Sequence, residues 1–184
     1  HSNSIRSNWR TKVLSTLSQV KTLRELSLRE AAIGDDGVAH LKEMKQLRVL
    51  RLGGNRLTDE GIAHLRDLTD LEVLEIRNSA WVDSNMRITD VGLKHVGRLT
   101  NLRKLDIRGL GVTDEGFGQL SGLRELRELS LGGTQITGAG MKHIVNFPEL
   151  EVLSIGGTWI RDAAMEHVAT CRKLKVLRLG YTRI

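Results

Sequence analysis

Along this chain leucines alternate with variable residues, give way to apolar positions spaced by three, and then begin alternating again at a fixed interval. The openings fall at Leu23, Leu47, Leu71, Leu102, Leu126, Leu150 and Leu174, separated by 24, 24, 31, 24, 24 and 24 residues. One copy therefore carries seven extra residues. In the copy from Leu47 the apolar positions are Leu47, Leu50, Leu52, Leu57, Ile62, Leu65 and Leu68, interrupted by Asn55 and by Thr58-Asp59-Glu60-Gly61. Leu-x-Leu alternation has period two and suits a strand with one buried face. Apolar positions at i, i+3 and i+6 form one stripe of a short helix. Thr58, Thr89, Thr113 and Thr137 stand where an N-cap oxygen is needed, and the acids that mostly follow them complement the helix dipole.

A fixed period in this range predicts a solenoid whose repeats bury their leucines only against their neighbours. Stacked strands sit about 4.8 Å apart, whereas helices need roughly 10 Å. Strands inside and helices outside keep register only if the stack curves. The expected fold class is therefore α/β: a horseshoe solenoid with a concave parallel sheet and short convex helices. Strands are expected near residues 25–28, 49–52, 73–76, 104–107, 128–131, 152–155 and 176–179. Residues 1–22 read as a polar lead-in and the helix of a partial repeat, with Leu14, Leu17 and Val20 in the columns of Val38, Leu41 and Met44. Residues 23–184 read as seven repeats, the last truncated after its strand. Both ends cut a repeat, so a segment of a longer protein is expected. The unpaired last strand predicts edge-to-edge self-association there, or local instability.

The phrase LxxLxLxx(T/N/S)x(I/L/V) followed by (T)(D)xG resembles the leucine-rich repeat family, and the resemblance covers residues 23–184. The 24-residue length is most similar to bacterial repeats with a helical convex face, and similar also to the cysteine-containing repeats of F-box substrate receptors. The resemblance implies a non-enzymatic protein-binding module; a substrate receptor or a bacterial effector domain would be a specific form of it. No F-box segment is present.

Formal charge is +6, which raises nucleic acid as a partner. Arg6, Arg10, Lys12 and Lys21 supply +4 of it within residues 1–22, where no acid occurs, leaving +2 for the repeats. The excess belongs to the leader, and nucleic acid is not expected as a partner. The single cysteine, Cys171, allows no intramolecular disulfide, and the chain lacks the cysteine-rich caps of secreted animal relatives. That favours an intracellular, cytoplasmic or bacterial setting. No apolar run reaches the ~20 residues of a membrane span.

Several residues invite a catalytic story that the columns oppose. His40, His64, His95, His143 and His167 share one repeat position, one per helix, without the close grouping that zinc requires. Cys171 shares a column with Met44, Leu68, Leu99, Leu123 and Phe147 and reads as a buried hydrophobe rather than a nucleophile. The glycine pairs after the strands read as turns, and no phosphate-binding, zinc-protease or calcium-loop phrase occurs. Neither a cofactor nor a metal is expected.

Function is expected where exposed positions differ between copies. One concave column reads Ser27, Arg51, Glu75, Asp106, Ser130, Ser154, Arg178, and the next reads Arg29, Gly53, Arg77, Arg108, Gly132, Gly156, Gly180. Lys104 adds a cation two residues before Asp106. These charges neutralise one another as solvated pairs such as Arg51–Glu75 and Asp106–Arg108, or else form an arginine-rich protein-binding surface. Glu75 and Asp106 are the one carboxylate pair on this face, and a glycosidase-like use is disfavoured because adjacent arginines keep both charged. The extra residues, around Ser79-Ala-Trp81-Val-Asp-Ser-Asn-Met86-Arg87, are expected to project at the rim. There Trp81 and Met86 serve as interface anchors, or Trp81 folds back as a cap. The expected partner is a protein or peptide bound by Arg29, Arg51, Glu75, Arg77, Trp81, Met86, Lys104, Asp106 and Arg108. The alternative is a spacer in a larger repeat protein with no ligand of its own.

Overall fold

The computed structural model describes residues 12–78 and 86–181. Seven strands, β1 (Glu25–Ser27), β2 (Val49–Arg51), β3 (Val73–Glu75), β4 (Lys104–Asp106), β5 (Glu128–Ser130), β6 (Val152–Ser154) and β7 (Val176–Arg178), form one parallel sheet in sequence order. The register joins equivalent leucines, from Leu26 with Leu50 to Leu153 with Leu177. Each strand is short because only its central residue faces inward, while the flanking two stay on the open face. Short helical segments cover the other side of the leucines, and the result is a solenoid of stacked repeats. No helix among the described residues is long and apolar enough to cross a membrane.

Threonine caps open three of the α-helical segments. Thr58, Thr89 and Thr113 each accept an N–H from two residues ahead and open the α-helical segments Asp59–Ala63, Asp90–Val96 and Asp114–Gly118. Thr137 makes the same bond to Ala139 at 3.2 Å. Gly138 stands where the other copies have the first-turn aspartate, removing that acid and adding a glycine, and Gly140–Asn146 is a 3-10 helix. In the sixth copy Arg161 replaces the threonine, no side chain caps the segment, and it begins as the 3-10 turn Asp162–Ala164.

The same threonines clasp the repeats together. Asp90 accepts from the Thr113 N–H at 2.8 Å and from its hydroxyl at 2.6 Å. Asp35 does the same to Thr58, Asp59 to Thr89 and Asp114 to Thr137. The shared glycine column makes space for these carboxylates: a Cβ on Gly116 would lie 2.1 Å from Asp90 Oδ1, and one on Gly140 would lie 2.2 Å from Asp114 Oδ1. The fifth-to-sixth junction is the exception that explains the rule. Gly138 stands where the aspartate would be, Arg161 where the threonine would be, and Ala164 where the glycine would be. The clasp is lost there as a unit. The turn glycines have a separate cause, since Gly133 lies at φ 70°, a left-handed conformation that side chains disfavour.

Two expectations are corrected. Met86, expected as an exposed anchor on the inserted loop, is only 7% exposed and belongs to the core. Counting back 24 residues from Leu110 places it in the column of Asn55, inside the turn, where Asn55 bonds Leu28 O, Leu52 O and Ile33 N. A side chain there has no contact surface to offer. The seven extra residues are therefore 79–85, and Trp81 lies among them, outside the described residues. Val20, expected in a core column, is 42% exposed. The opposite end behaves alike, with Val176 and Leu177 each 37% exposed.

Candidate functional site

The open face of the sheet collects the charges that the columns predict. Glu75 and Asp106 are paired in register on β3 and β4, and both are nearly buried, 6% and 4% exposed. Like charges directly opposite one another destabilise a sheet, so this pair requires cations. Arg29 and Arg51 bind Glu75, the latter with Nε 3.6 Å from the carboxylate. Arg108 grips Asp106 with two donors, Nε at 2.9 Å and Nη2 at 2.6 Å, and Arg77 approaches it at 3.9 Å. Four guanidinium groups thus surround two carboxylates. The hydrogen bonds that Arg108 donates to Asp106 drive the Arg108 pKa further up, with burial opposing them. Lys104 pairs with Glu128 at 2.7 Å, and Arg51 also with Glu25.

Small residues let the arginines lie down. A Cβ on Gly53 would sit 3.2 Å from Arg77 Cγ, and one on Gly132 would sit 3.6 Å from Arg108 Cγ and Cδ. The arginine stems rest against glycines of the adjacent repeats, and the guanidinium groups stay open to solvent; Arg108 is 49% exposed at its side chain. The structure therefore brings together Arg29, Arg51, Glu75, Arg77, Lys104, Asp106 and Arg108, and excludes Met86. Beyond β4 the face falls away to Ser130, Val152 and Ser154 before rising again at Arg178, enclosing a recess of about 390 Å³. Arg178 was visible in the column but not weighed as part of the site. The signal was its place beside two serines, where no carboxylate among the described residues neutralises it.

The convex side carries the histidines at most one per repeat, with Gln119 in the fourth, and no group of three or more metal-ligating residues occurs among the described residues. His143 meets the Phe117 ring edge-on at 6.2 Å, a packing role. His95 Nδ1 is enclosed without a hydrogen-bond partner among the described residues. Burial lowers its pKa below the ordinary 6.5, with Arg66, Lys94 and Arg98 adding to the shift and Asp59 opposing it. The unfolded chain then binds more protons just below pH 6.5, so stability falls as pH drops through that window. His95→Gln is expected to shrink the loss of urea midpoint between about pH 7.5 and about pH 5.5. An unchanged difference would show that His95 protonates freely in the fold. Burial likewise raises the half-buried Cys171 thiol, with a Thr170 hydrogen bond opposing, which disfavours the thiolate a nucleophile needs.

The family model described as a leucine-rich repeat region matches residues 4–184. The chain belongs to the leucine-rich repeat family. Domains of this family generally mediate protein–protein interaction and are typically non-enzymatic. No curated protein matches this repeat chain. Among solved structures, an internalin from Listeria monocytogenes superposes with a TM-score of 0.62 at 21% identity, covering 89% of this chain and 49% of its own. The plant peptide hormone receptor RGFR1, solved in complex with RGF2, gives 0.58 at 16%, covering 88% of this chain. A TDR receptor gives 0.65 at 16%, covering 96%. The leucine-rich repeat chain described here spans 29% of the length of each receptor.

Proposed function

We propose that this chain is an interaction module that binds a protein or peptide on the open face of its sheet, centred on the arginine–carboxylate lattice of β1 to β4. The observation that carries the reading is the burial of Glu75 and Asp106 beneath arginines whose guanidinium groups remain accessible. Buried carboxylates fix these long side chains in advance, so a partner meets donors whose rotamer entropy is already lost. A related fold solved with a bound peptide hormone supports the same use of the architecture. The convex helices repeat nearly the same residues from copy to copy and offer little that is distinctive.

One observation favours a spacer instead, since each lattice arginine already has a carboxylate partner. A triple variant separates the two. Lys at Arg29, Arg77 and Arg108 keeps the positive charge that Glu75 and Asp106 require and removes the planar guanidinium fork a partner would engage. The interaction module predicts that proteins captured by the intact chain are lost with the triple variant while its far-ultraviolet circular dichroism is unchanged. An identical set of captured proteins would favour the spacer.

A further inference from the structure

The recess reaches from the Arg29, Glu75 and Arg77 lattice across β4 to β7, with small polar residues on its floor and walls of unequal charge. Five cations line it against three carboxylates, and two of those carboxylates, Glu75 and Asp106, lie nearly buried under arginines. Arg178, on the far wall, has no ion-pair partner among the described residues, unlike Arg29, Arg51, Arg77, Lys104 and Arg108. On the near wall, Asp106 takes Nε and Nη2 of Arg108 and leaves its Nη1 donors uncommitted. Ser130 and Ser154 stand between, in register with Asp106 on one side and Arg178 on the other, and their hydroxyls make no hydrogen bond among the described residues. Donors therefore outnumber acceptors along the whole trough, which suits an anionic occupant.

The spacing further restricts that occupant. Asp106 and Arg178 are three strands apart, about 14 Å at ~4.8 Å per step. An extended chain rises ~3.4 Å per residue and returns to one face at every second residue, so residues i and i+4 on one face lie about 14 Å apart. In a helix the same residues would be only about 6 Å apart. The short side chains of Ser130 and Ser154 leave the floor between the two arginines low.

We infer that this recess binds an extended acidic segment of a partner polypeptide, with carboxylates four residues apart seated on Arg108 and Arg178 and the main chain passing over Ser130 and Ser154. This rests on the reading of the sheet face as the interaction surface, and it adds the chemistry of the ligand and its register.

The test uses the full chain and two isomeric decapeptides of glycine and serine carrying two glutamates, four apart in one and adjacent in the other. Binding is followed by chemical-shift perturbation of the protein amides at millimolar peptide. The spaced peptide is expected to move the amides of Ser130, Ser154 and Gly156. Arg178→Ala, on the exposed edge strand, is expected to weaken it about tenfold, the equivalent of one charge-assisted contact. Ser154→Leu, which fills the floor, is expected to weaken it similarly. Equal binding of the two isomers, or binding indifferent to Arg178→Ala, would overturn the register. Absence of any shift would overturn the acidic chemistry while leaving the interaction module to be judged by its captured partners. Tighter binding of oligothymidylate than of the spaced peptide at the same amides would also overturn it, in favour of a polyanion without peptide character.

Discussion

Gly116→Ala is expected to destabilise the protein by about 3 kcal/mol or more, an overpacking cost joined by loss of charge-assisted hydrogen bonds. The added Cβ would sit 2.1 Å from Asp90 Oδ1, so the carboxylate must leave the two donors of Thr113 that it holds. The chain itself supplies the rescue. At the fifth-to-sixth junction alanine stands in the glycine column, at Ala164, where the facing residue is Gly138 rather than aspartate. Asp90→Gly alone loses the clasp, but with Gly116→Ala it removes the collision too. The double variant is therefore expected to be more stable than the sum of the single losses predicts, with a coupling of about 1–3 kcal/mol in urea unfolding. Strict additivity would mean that the glycine column has some other cause.

Leu129→Ala is expected to cost about 2–5 kcal/mol, because its side chain is wholly enclosed between neighbouring repeats and the site cannot collapse around a cavity on both sides. Leu177 occupies the same column on β7 but is 37% exposed. There Leu177→Ala removes less burial, and a solenoid end opens without unfolding its centre. Its effect is expected to appear as faster amide exchange over residues 174–181 rather than as a shift of the global urea midpoint. Equal midpoint shifts from the two variants would contradict the nearest-neighbour account of stability.

These two cases mark how far the sequence could be read. Leucine columns are set by backbone periodicity, so strand positions, register and the inward face of Leu129 were legible from spacing alone. The clasp was harder, because Asp90 serves the next repeat and patterns read one repeat at a time treat it as a first-turn acid. Its trace was the joint loss at Gly138, Arg161 and Ala164. Met86 was misplaced because a seven-residue insertion can be positioned in several ways, and only the core column resolves where it begins. The lattice pairs Arg51–Glu75 and Asp106–Arg108 were legible, since the first joins neighbouring strands and the second stands two residues apart in one repeat. That Arg77 and Arg108 lie across Gly53 and Gly132 was not, because side-chain direction between strands leaves no periodic mark.

The claim that the open sheet face is the partner surface is tested most directly by photo-crosslinking from single positions. A benzophenone side chain replaces Ser27 or Ser130 on the sheet face, or Val91 on the helical face, which is 63% exposed. Discrete adducts with a partner polypeptide from Ser27 or Ser130, and none from Val91, are the predicted result. Adducts from Val91 alone would place the partner on the convex side and contradict the account.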